Sequence, residues 1–386
     1  LPYFRKTEDH YAGGDDMHGA DGEWRVEEPR GSWEILAAFR EAAAQVGIPK
    51  SDDFNRGDNE GCGYFQVNQR RGVRWSAAKA FLKPAMQRPH LKVMTHAQAT
   101  RIVIADGRAT GLEFRHDGAP TEAAARGEVI LAGGSVNSPQ LLELSGIGQG
   151  ELLQQHGIEV RHELPGVGEN LQDHLQVRLV YKVSNTRTLN LRANSLLGRM
   201  AMGVEYGLFR TGPLTMAPSQ LGAFAKSDPS RETANLQYHV QPLSTDKLGE
   251  DLHPFEAFTA SVCNMRPDSR GSIHIASPDA LVQPAIRPNY LSTESDRAVV
   301  ADAIRLTRKI CAAPGLAPFH PEEFRPGPTV GDDDGDLVKA AGDLATTIFH
   351  PVSTCRMGDD NRAVVDDRLR VHGIDGLRVA DASIMP

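Results

Sequence analysis

The segment HPVSTCRMG, at positions 350–358, places a histidine, two hydroxyls, a thiol and an arginine close together in the sequence. His350 precedes a proline, which biases its backbone toward an extended conformation, and Gly358 is expected to end the segment in a turn. One interpretation is a loop that aims the imidazole at another group. The alternative is a partly buried, hydrogen-bonded histidine near the end of a domain.

A second stretch, residues 128–148, has the pattern of a strand, a glycine turn and a helix. The apolar run 129–132 predicts a buried parallel strand that is covered on both faces. Gly133 and Gly134 permit a tight turn, and the dipeptide Ser138-Pro139 predicts a helix start. This order presents backbone N–H groups to a phosphate or a flavin edge. For the two glycines, a plain tight turn is the alternative.

Other candidate motifs are incomplete. SGIGQGE and PGVGENL each contain G-x-G, but neither has the third glycine at the required spacing or follows a buried strand, so the dinucleotide fingerprint is missing. The acidic run DDDGD (332–336) does not fit a calcium loop and is interpreted as a solvated turn.

Four cysteines lie far apart without C-x-x-C spacing, which predicts reduced thiols in a cytosolic protein. Cys355 lacks a paired base and is interpreted as a packed small side chain.

Several elements are needed to position these residues. Residues 31–47 predict an amphipathic helix, capped by Ser32 and closed by Gly47. Residues 90–118 alternate around Asp106-Gly107, a pattern typical of a β-hairpin.

The middle of the chain, roughly 170–345, differs in character. It combines strand-like runs, many prolines and one predicted helix at 295–312, which favours a β-rich second domain. The last strand-like run, 377–380, has the same pattern as the strands of the first domain.

Bulk composition indicates an ordinary globular protein. The 386 residues are 40% hydrophobic and 24% charged, and the formal net charge of −8 argues against a nucleic-acid surface. No apolar stretch approaches the roughly eighteen residues of a membrane span. The chain opens without Met and stops directly after a strand-like run. It is therefore expected to be a fragment of a longer protein.

Taken together, the segments resemble the glucose–methanol–choline (GMC) oxidoreductases, FAD enzymes that oxidise alcohols. The most specific match is GSVNSPQLLELSGIG (134–148), which fits that family's second signature at every constrained position. The supporting matches follow the family's order across almost the whole chain: RWSAAKAFL (74–82), LPGVGENLQDH (164–174), SRGSIHIASPD (269–279), HPVSTCRMG (350–358) and GLRVADASIMP (376–386).

The resemblance implies a role for His350. In the family, the histidine of the H-P-V-G-T-C type segment lies beside the flavin and acts as the catalytic base. Alcohol oxidation requires the hydroxyl proton to be removed as hydride leaves the carbon for the flavin. An imidazole, with an unperturbed pKa of about 6.5, accepts that proton near neutral pH. Ser353 departs from the family, which commonly has glycine there, and the loop geometry at this position stays open.

The resemblance also implies which residues contact FAD, namely Ala99, Gly133, Gly134, Asp381 and Ala382. Of these, Ala99 would lie on the adenine side, and Asp381 and Ala382 near the pyrophosphate and the flavin. Asn170 and His174 are expected to organise a domain junction rather than to catalyse. The amino-terminal FAD-binding βαβ unit and the second catalytic residue are expected to lie outside this chain.

The predicted fold class is α/β with α+β elements. It comprises a Rossmann-like FAD-binding domain, incomplete in this chain, and a β-rich substrate domain with a mixed sheet and flanking helices. The FAD-binding domain is assigned to 75–169 and 355–386, and the substrate domain to 170–354. Residues 1–74 are assigned to a lid or connection.

The predicted function is FAD-dependent oxidation of a primary alcohol to the aldehyde, similar to the bacterial choline or aliphatic-alcohol dehydrogenase branch. Two alternatives stay open: a flavin-containing hydroxynitrile-type lyase of the same fold, and a truncated fragment that is inactive or only binds. The expected partners are the alcohol and an electron acceptor, either a quinone, another acceptor or oxygen, with no nucleic acid and no membrane span. The expected location is the cytoplasm, with attachment to a membrane surface as an alternative. The 386 residues alone are expected to be inactive.

Overall fold

The computed structural model describes residues 1–217, 219–247 and 249–386, which form two compact units. Unit 1 comprises Leu1–Lys92, Gln176–Arg266 and Arg297–Thr346, and unit 2 comprises Val93–Leu175, Pro267–Asp296 and Thr347–Pro386. The predicted substrate domain, 170–354, is thus divided, because residues 267–296 belong to unit 2. The backbone explains this, since Gly271 and Ile273 donate hydrogen bonds to the carbonyls of Leu171 and Gly168.

Unit 1 is built on a large sheet. Its strands lie in the spatial order Glu322–Arg325, Leu175–Lys182, Ala257–Asn264, Leu236–Gln241, Leu221–Ala225 and Gly61–Tyr64. Each of these neighbouring pairs is antiparallel. Three of the strands follow one another along the chain and return directly beside their predecessor, which gives antiparallel pairing.

The remaining elements of unit 1 are mostly short. Its helices are Pro2–Thr7, Glu34–Gln45, Ala78–Leu82, Lys83–Ala85, Leu189–Asn194, Leu196–Phe209, Pro213–Thr215, Glu294–Cys311 (which starts in unit 2), Pro314–Phe319 and Asp334–Leu344. Its short strands are Glu8–His10, Trp24–Val26, Gln69–Arg70 and Val73–Arg74, and Thr346–Thr347 follows the last helix. None of the helices in the described ranges is long and apolar enough to cross a membrane.

The sheet of unit 1 has two different faces, because side chains alternate along each strand. One face is apolar and buried, and Tyr238 and Phe258 belong to it. Phe39, from the helix Glu34–Gln45, packs there, with ring centroids 6.4 Å from Tyr238 and 6.1 Å from Phe258. This packing forms the core of unit 1. The opposite face contains polar side chains.

The predicted helix at 31–47 is confirmed, with different ends. It spans Glu34–Gln45, and the residue before it, Trp33, provides no side-chain cap. The predicted cap at Ser32 is therefore wrong. Gly47, just past the helix, has φ +99°, a left-handed conformation that suits glycine and ends the helix as predicted.

Unit 2 contains a three-stranded antiparallel meander, Ala97–Ala105, Arg108–His116 and Ala119–Ala124. Asp106 and Gly107 form the first turn with φ +49° and +74°. Both values are positive, as a two-residue hairpin turn requires. The predicted hairpin is confirmed.

The other elements of unit 2 are small. They are the strand pairs Val129–Leu131 with Leu377–Val379, Ile147–Gly148 with His162–Glu163, and Ser272–His274 with Ala285–Arg287, and the helices Gly134–Leu144, Gly150–Gln155 and Ala382–Ile384.

The segment 128–148 forms the predicted strand, turn and helix, with two corrections. The strand Val129–Leu131 pairs in parallel with Leu377–Val379, as expected, but Ile130 is 57% exposed, so the strand is not covered on both faces. The helix begins at Gly134 rather than at Ser138, and Pro139 lies inside it.

A side chain compensates for the proline inside this helix. Pro139 has no N–H to donate to the carbonyl of Ser135, four residues earlier. That carbonyl instead accepts a hydrogen bond of 2.7 Å from the hydroxyl of Thr354. The helix therefore continues through the proline.

His274 connects a strand of unit 2 to the helix Gly134–Leu144. Its Nδ1 lies 2.7 Å from Oε1 of Glu143 and its Nε2 lies 3.1 Å from Oε1 of Glu169. Burial by itself lowers the pKa of His274, but the hydrogen bonds and charges of the two carboxylates outweigh burial and raise it above the ordinary value. A doubly protonated ring satisfies both contacts as a donor.

We expect Gly63→Ala to destabilise the protein and Gly203→Ala to stabilise it. A Cβ on Gly63 would meet the carbonyl oxygen of Ser51 at 2.1 Å, whereas nothing lies within 4 Å of one on Gly203 in a helix interior. The clash should cost about 1–3 kcal/mol, and the helical replacement should gain about 0.5–1 kcal/mol. Urea denaturation of both variants measures the two changes, and a loss of stability in both would contradict this account.

We also expect the His274 contacts to give a pH-dependent stability. Because the folded pKa of His274 is raised, its contribution is complete below the unfolded pKa of about 6.5 and is lost as pH rises through the folded pKa. The difference in unfolding free energy between the unmodified protein and His274→Gln should therefore shrink as pH rises from about 6 to 9. Denaturant titrations at several pH values test this, and a difference that grows with pH would refute it.

Candidate active site

The segment that follows His350 is held by hydrogen bonds within unit 2. The carbonyl of Pro351 accepts one of 2.5 Å from the Ser135 hydroxyl. The backbone N–H of Cys355 donates to the carbonyl of Ser383 at 2.9 Å, and that of Ser353 donates to Ala382 at 3.4 Å. The segment thus lies against the start of the helix Gly134–Leu144 and against residues 382–383, close to the residues that the resemblance links to FAD.

A buried carboxylate fixes the backbone of His350. Asp173 is 9% exposed, and its Oδ1 accepts the N–H of His350 at 3.0 Å. Its Oδ2 accepts the hydroxyl of Thr347 at 2.5 Å and also the hydroxyl of Tyr290. Burial and the hydrogen bond to Asp173 raise the pKa of Tyr290, which therefore stays protonated and donates. The carboxylate thus joins three parts of the chain around the histidine.

The ring of His350 is exposed, unlike its backbone anchor. Its Nδ1 lies 3.5 Å from Nδ1 of His174, and the rings meet edge to face with centroids 5.6 Å apart. Among the described residues this is the one hydrogen bond of the His350 side chain, so Nε2 is open to a ligand. A neutral ring in this position can accept a proton at Nε2 while His174 accepts the Nδ1–H.

Ser353 adopts a backbone conformation that favours glycine. Its φ is +81°, in the left-handed region, which explains why the resembled family commonly has glycine at this position. Its hydroxyl is fully buried and accepts hydrogen bonds from Nδ2 of Asn170 at 2.6 Å and Nε2 of Gln172 at 3.1 Å. These two bonds help to offset the backbone strain.

Two further non-glycine residues near Ser353 have left-handed backbones, Asn170 with φ +61° and Phe349 with φ +64°. Such residues persist only where the surrounding contacts hold them, and they cluster at functional sites. Asn170 uses its whole amide, because its Oδ1 also accepts a hydrogen bond from Nε of Arg270 at 3.2 Å. Two of the three, Phe349 and Ser353, lie within three positions of His350 in the sequence, and the third, Asn170, hydrogen-bonds to Ser353.

The five predicted FAD-contact residues lie in two groups. Ala99 and Gly133 line a cavity of about 280 Å³ together with the strand Val129–Leu131. Gly134 donates its N–H to Oδ2 of Asp381 at 3.0 Å, and Ala382 accepts from Ser353. Both groups belong to the surroundings of the glycine turn, and their contact with the cofactor stays a prediction.

The carboxylate of Asp381 has structural partners. Besides Gly134, its Oδ2 accepts the hydroxyl of Ser138 at 2.6 Å, and its Oδ1 accepts the N–H of Ser383 at 2.9 Å. A carboxylate at a helix start is favoured by the orphan N–H groups and the helix dipole. Asp381 thus joins the last turn of the chain to the start of the helix Gly134–Leu144.

The cysteine beside this site is packed, in line with its interpretation from the sequence. Cys355 is fully buried, and burial raises the pKa of its thiol. The other three cysteines are likewise buried and are not part of a disulfide. None of the four is a nucleophile candidate, because nucleophilic cysteines require an accessible thiolate.

Sequence reasoning missed the contribution of Asp173, to which it gives no role. His174, which the sequence assigns to a domain junction, lies beside His350. The signal was available, because both residues are part of the family-like segment LPGVGENLQDH. Nothing in that segment by itself shows which distant residue its carboxylate binds.

Comparison with known proteins yields two family models, both described as GMC oxidoreductase. The amino-terminal model matches residues 1–176 and the carboxy-terminal model matches residues 267–386. An oxygen-dependent choline dehydrogenase from Stenotrophomonas maltophilia is 40% identical over 390 residues, covering 100% of this chain and 69% of that protein. An alcohol dehydrogenase [acceptor] from Pseudomonas putida is 40% identical over 372 residues, covering 96% and 67%.

Solved structures show the same likeness. A pyridoxine 4-oxidase from Mesorbium loti superposes with a TM-score of 0.86 at 30% identity, covering 100% of this chain and 72% of that one. A mutant formate oxidase from Aspergillus oryzae, studied for FAD modification, gives a TM-score of 0.89 at 26% identity, covering 100% and 73%.

We expect Ser353→Gly to be more stable than Ser353→Ala. Both variants remove the hydroxyl that accepts from Asn170 and Gln172, but only glycine relieves the left-handed backbone. The difference should be about 1 kcal/mol. Chemical denaturation of the two variants side by side measures it, and equal stabilities would show that the backbone at this position is unstrained.

Proposed function

Because this chain belongs to the GMC oxidoreductase family of FAD-dependent flavoproteins, we propose that it oxidises a primary alcohol to the aldehyde, with His350 as the base. One observation carries the proposal. An exposed imidazole with an open Nε2 is held on a backbone that the buried carboxylate of Asp173 fixes. The names of the relatives, one a choline and one an alcohol dehydrogenase, support oxidation of an alcohol.

Residues of unit 2 fit one part of FAD. The cavity beside Ala99 and Gly133 holds about 280 Å³, close to the lower limit of about 300 Å³ for ligand pockets, and can therefore take one end of a dinucleotide. Gly133 and the strand before it offer backbone to a flat ligand at close range. When bound, FAD supplies the flavin ring that accepts the electrons of the alcohol.

His350 would hold and move the proton of the reaction. The alcohol O–H donates to Nε2, which takes the proton as the C–H bond breaks. The imidazolium that forms donates its Nδ1–H to His174, 3.5 Å away, which disperses the positive charge.

Asp173 would act as a positioning residue. It holds the backbone on which the imidazole stands, and Thr347 and Tyr290 keep its second oxygen in place. A base must lie within hydrogen-bond reach of the proton that it abstracts, so a fixed backbone lowers the cost of reaching that geometry.

We expect His350→Ala to lower turnover by about a hundred- to ten-thousand-fold, the usual contribution of a general base. The flavin should stay bound, because the predicted cofactor contacts lie elsewhere. The assay uses the intact, flavin-loaded enzyme that contains this chain, a short primary alcohol and an artificial electron-accepting dye, and the flavin absorbance band reports cofactor content.

His90→Ala is the matched control, since His90 is exposed and lies in unit 1. It should leave turnover unchanged. If His350→Ala also retained full turnover, His350 would not be the base and its role would be purely structural.

A further inference from the structure

One cavity of unit 2 is lined mainly by charged and polar residues. It holds about 490 Å³, within the range of ligand pockets, and its charged residues are Arg270, Arg287, Arg356, Arg362 and Glu169. Every lining residue belongs to unit 2. The chain has 50 acidic and 42 basic residues, so an excess of arginine at one place runs against the overall composition. We call this space the arginine cavity.

The fold of unit 2 brings these arginines together from distant parts of the chain. Strand pairing sets Arg287 opposite Ser272, which follows Arg270 by two residues. A Cβ on Gly166 would meet the carbonyl oxygen of Arg362 at 2.0 Å, so the backbone that carries Arg362 lies directly against this glycine. Only a residue without a side chain permits such an approach. The arginine cavity is therefore a product of the tertiary structure.

Two of the five charged groups already have partners. Nη2 of Arg356 donates to both carboxylate oxygens of Asp360, at 2.7 and 2.8 Å. Oε1 of Glu169 accepts a hydrogen bond of 2.8 Å from the amide of Gln149 and lies 3.1 Å from Nε2 of His274. The charge of Glu169 helps to raise the pKa of His274, which favours the imidazolium as its partner. Neither Arg356 nor Glu169 therefore needs a ligand.

The other three arginines of the cavity have no counter-charge. In the described ranges, no carboxylate lies at ion-pair distance from Arg270, Arg287 or Arg362. Arg270 is nevertheless held in place, because its Nε donates to Oδ1 of Asn170 at 3.2 Å and its Nη1 donates to the carbonyl of Pro267 at 2.6 Å. Both acceptors are uncharged, so they orient the guanidinium without neutralising it. The guanidinium is thus positioned in advance for an anion.

We propose that the arginine cavity binds a small anion with at least two negative charges, whose oxygen atoms belong to phosphate or carboxylate groups. The planar fork of a guanidinium matches both groups with parallel N–H donors. A cleft lined by one sign of charge also concentrates the opposite charge. An anion with a single charge would neutralise only one of the three arginines, whereas one with several charges can contact more than one of them.

The lining also limits the kind of anion. Among the described residues that line the cavity, none is aromatic, so a nucleotide base would find no ring to stack on. This favours a compact anion over a nucleotide. The lining includes neither His350 nor any of the five predicted FAD-contact residues. The anion is therefore not the alcohol of the proposed reaction, and the inference does not depend on that reaction.

The test measures binding of inorganic pyrophosphate to the intact, flavin-loaded enzyme that contains this chain, by isothermal titration calorimetry at constant ionic strength. Arg287→Gln and Arg362→Gln should each weaken binding about ten- to a hundred-fold, the usual value of a hydrogen bond to a charged group. Arg287→Lys should lose less, since it keeps the charge without the fork. Neither side chain hydrogen-bonds within the described residues, so the variants should keep the melting temperature of the unmodified enzyme.

Arg115→Gln is the matched control. Arg115 is an exposed arginine on a strand of unit 2, like Arg287, but it does not line the cavity. The control should bind pyrophosphate with unchanged affinity. Acetate, which carries one charge, should bind far more weakly than pyrophosphate. Citrate identifies the source of the oxygen atoms: tighter binding of citrate indicates a polycarboxylate ligand, and tighter binding of pyrophosphate indicates a phosphate ligand.

Three results would overturn the inference. The first is no binding of either pyrophosphate or citrate to the flavin-loaded enzyme. The second is binding that survives both Arg287→Gln and Arg362→Gln, or that Arg115→Gln weakens equally, because the anion would then lie elsewhere or respond only to overall charge. The third is pyrophosphate binding that occurs only after the flavin has been removed, which would assign the cavity to FAD.

Discussion

The candidate site depends on one buried carboxylate. Asp173 accepts hydrogen bonds from the backbone of His350 and from the side chains of Thr347 and Tyr290. If the carboxylate were removed, three donors in a largely buried place would lose their acceptor, at a cost of about 1–3 kcal/mol for each buried one. The chain therefore holds the backbone of the candidate base firmly while its ring stays open to ligand. This separation of a fixed anchor from an accessible group is what catalysis by a positioned base requires.

The surroundings of His350 are held together mainly by bonds between side chains and backbone. The Thr354 hydroxyl donates to the helix carbonyl that would otherwise accept the N–H missing from Pro139. The histidine segment therefore satisfies an acceptor of the helix Gly134–Leu144. At the start of that helix, the carboxylate of Asp381 accepts hydrogen bonds from the Gly134 N–H and the Ser138 hydroxyl. Each bond joins residues more than two hundred positions apart in the sequence. The site therefore forms only when the first and last parts of unit 2 meet.

Local patterns predicted the elements whose causes are local. The hairpin at Asp106-Gly107 and the end of the helix near Gly47 follow from residues that tolerate positive φ. The sequence predicts the start of the next helix too late, at Ser138 instead of Gly134. The Ser-Pro pattern normally marks a first turn, and the Thr354 hydroxyl that compensates for the proline is far away in the sequence. The exposure of Ile130 was missed for a related reason, since an apolar run does not reveal whether both faces of a strand are covered.

The candidate site, too, could be predicted only where its signals are local. His350 could be selected from its segment and from the resemblance, but the carboxylate that fixes its backbone could not, because the contact between Asp173 and His350 depends on the fold.

The four buried cysteines have a chemical consequence. Burial raises the pKa of the Cys62 thiol to about 12, and it raises the pKa of Cys311 and Cys355 as well. Alkylating reagents attack the thiolate, so the folded protein presents them with almost no reactive thiol. Unfolding exposes the same thiols with an ordinary pKa of about 8.5. Alkylating reagents should therefore label the unfolded molecules and leave the native ones almost unlabelled.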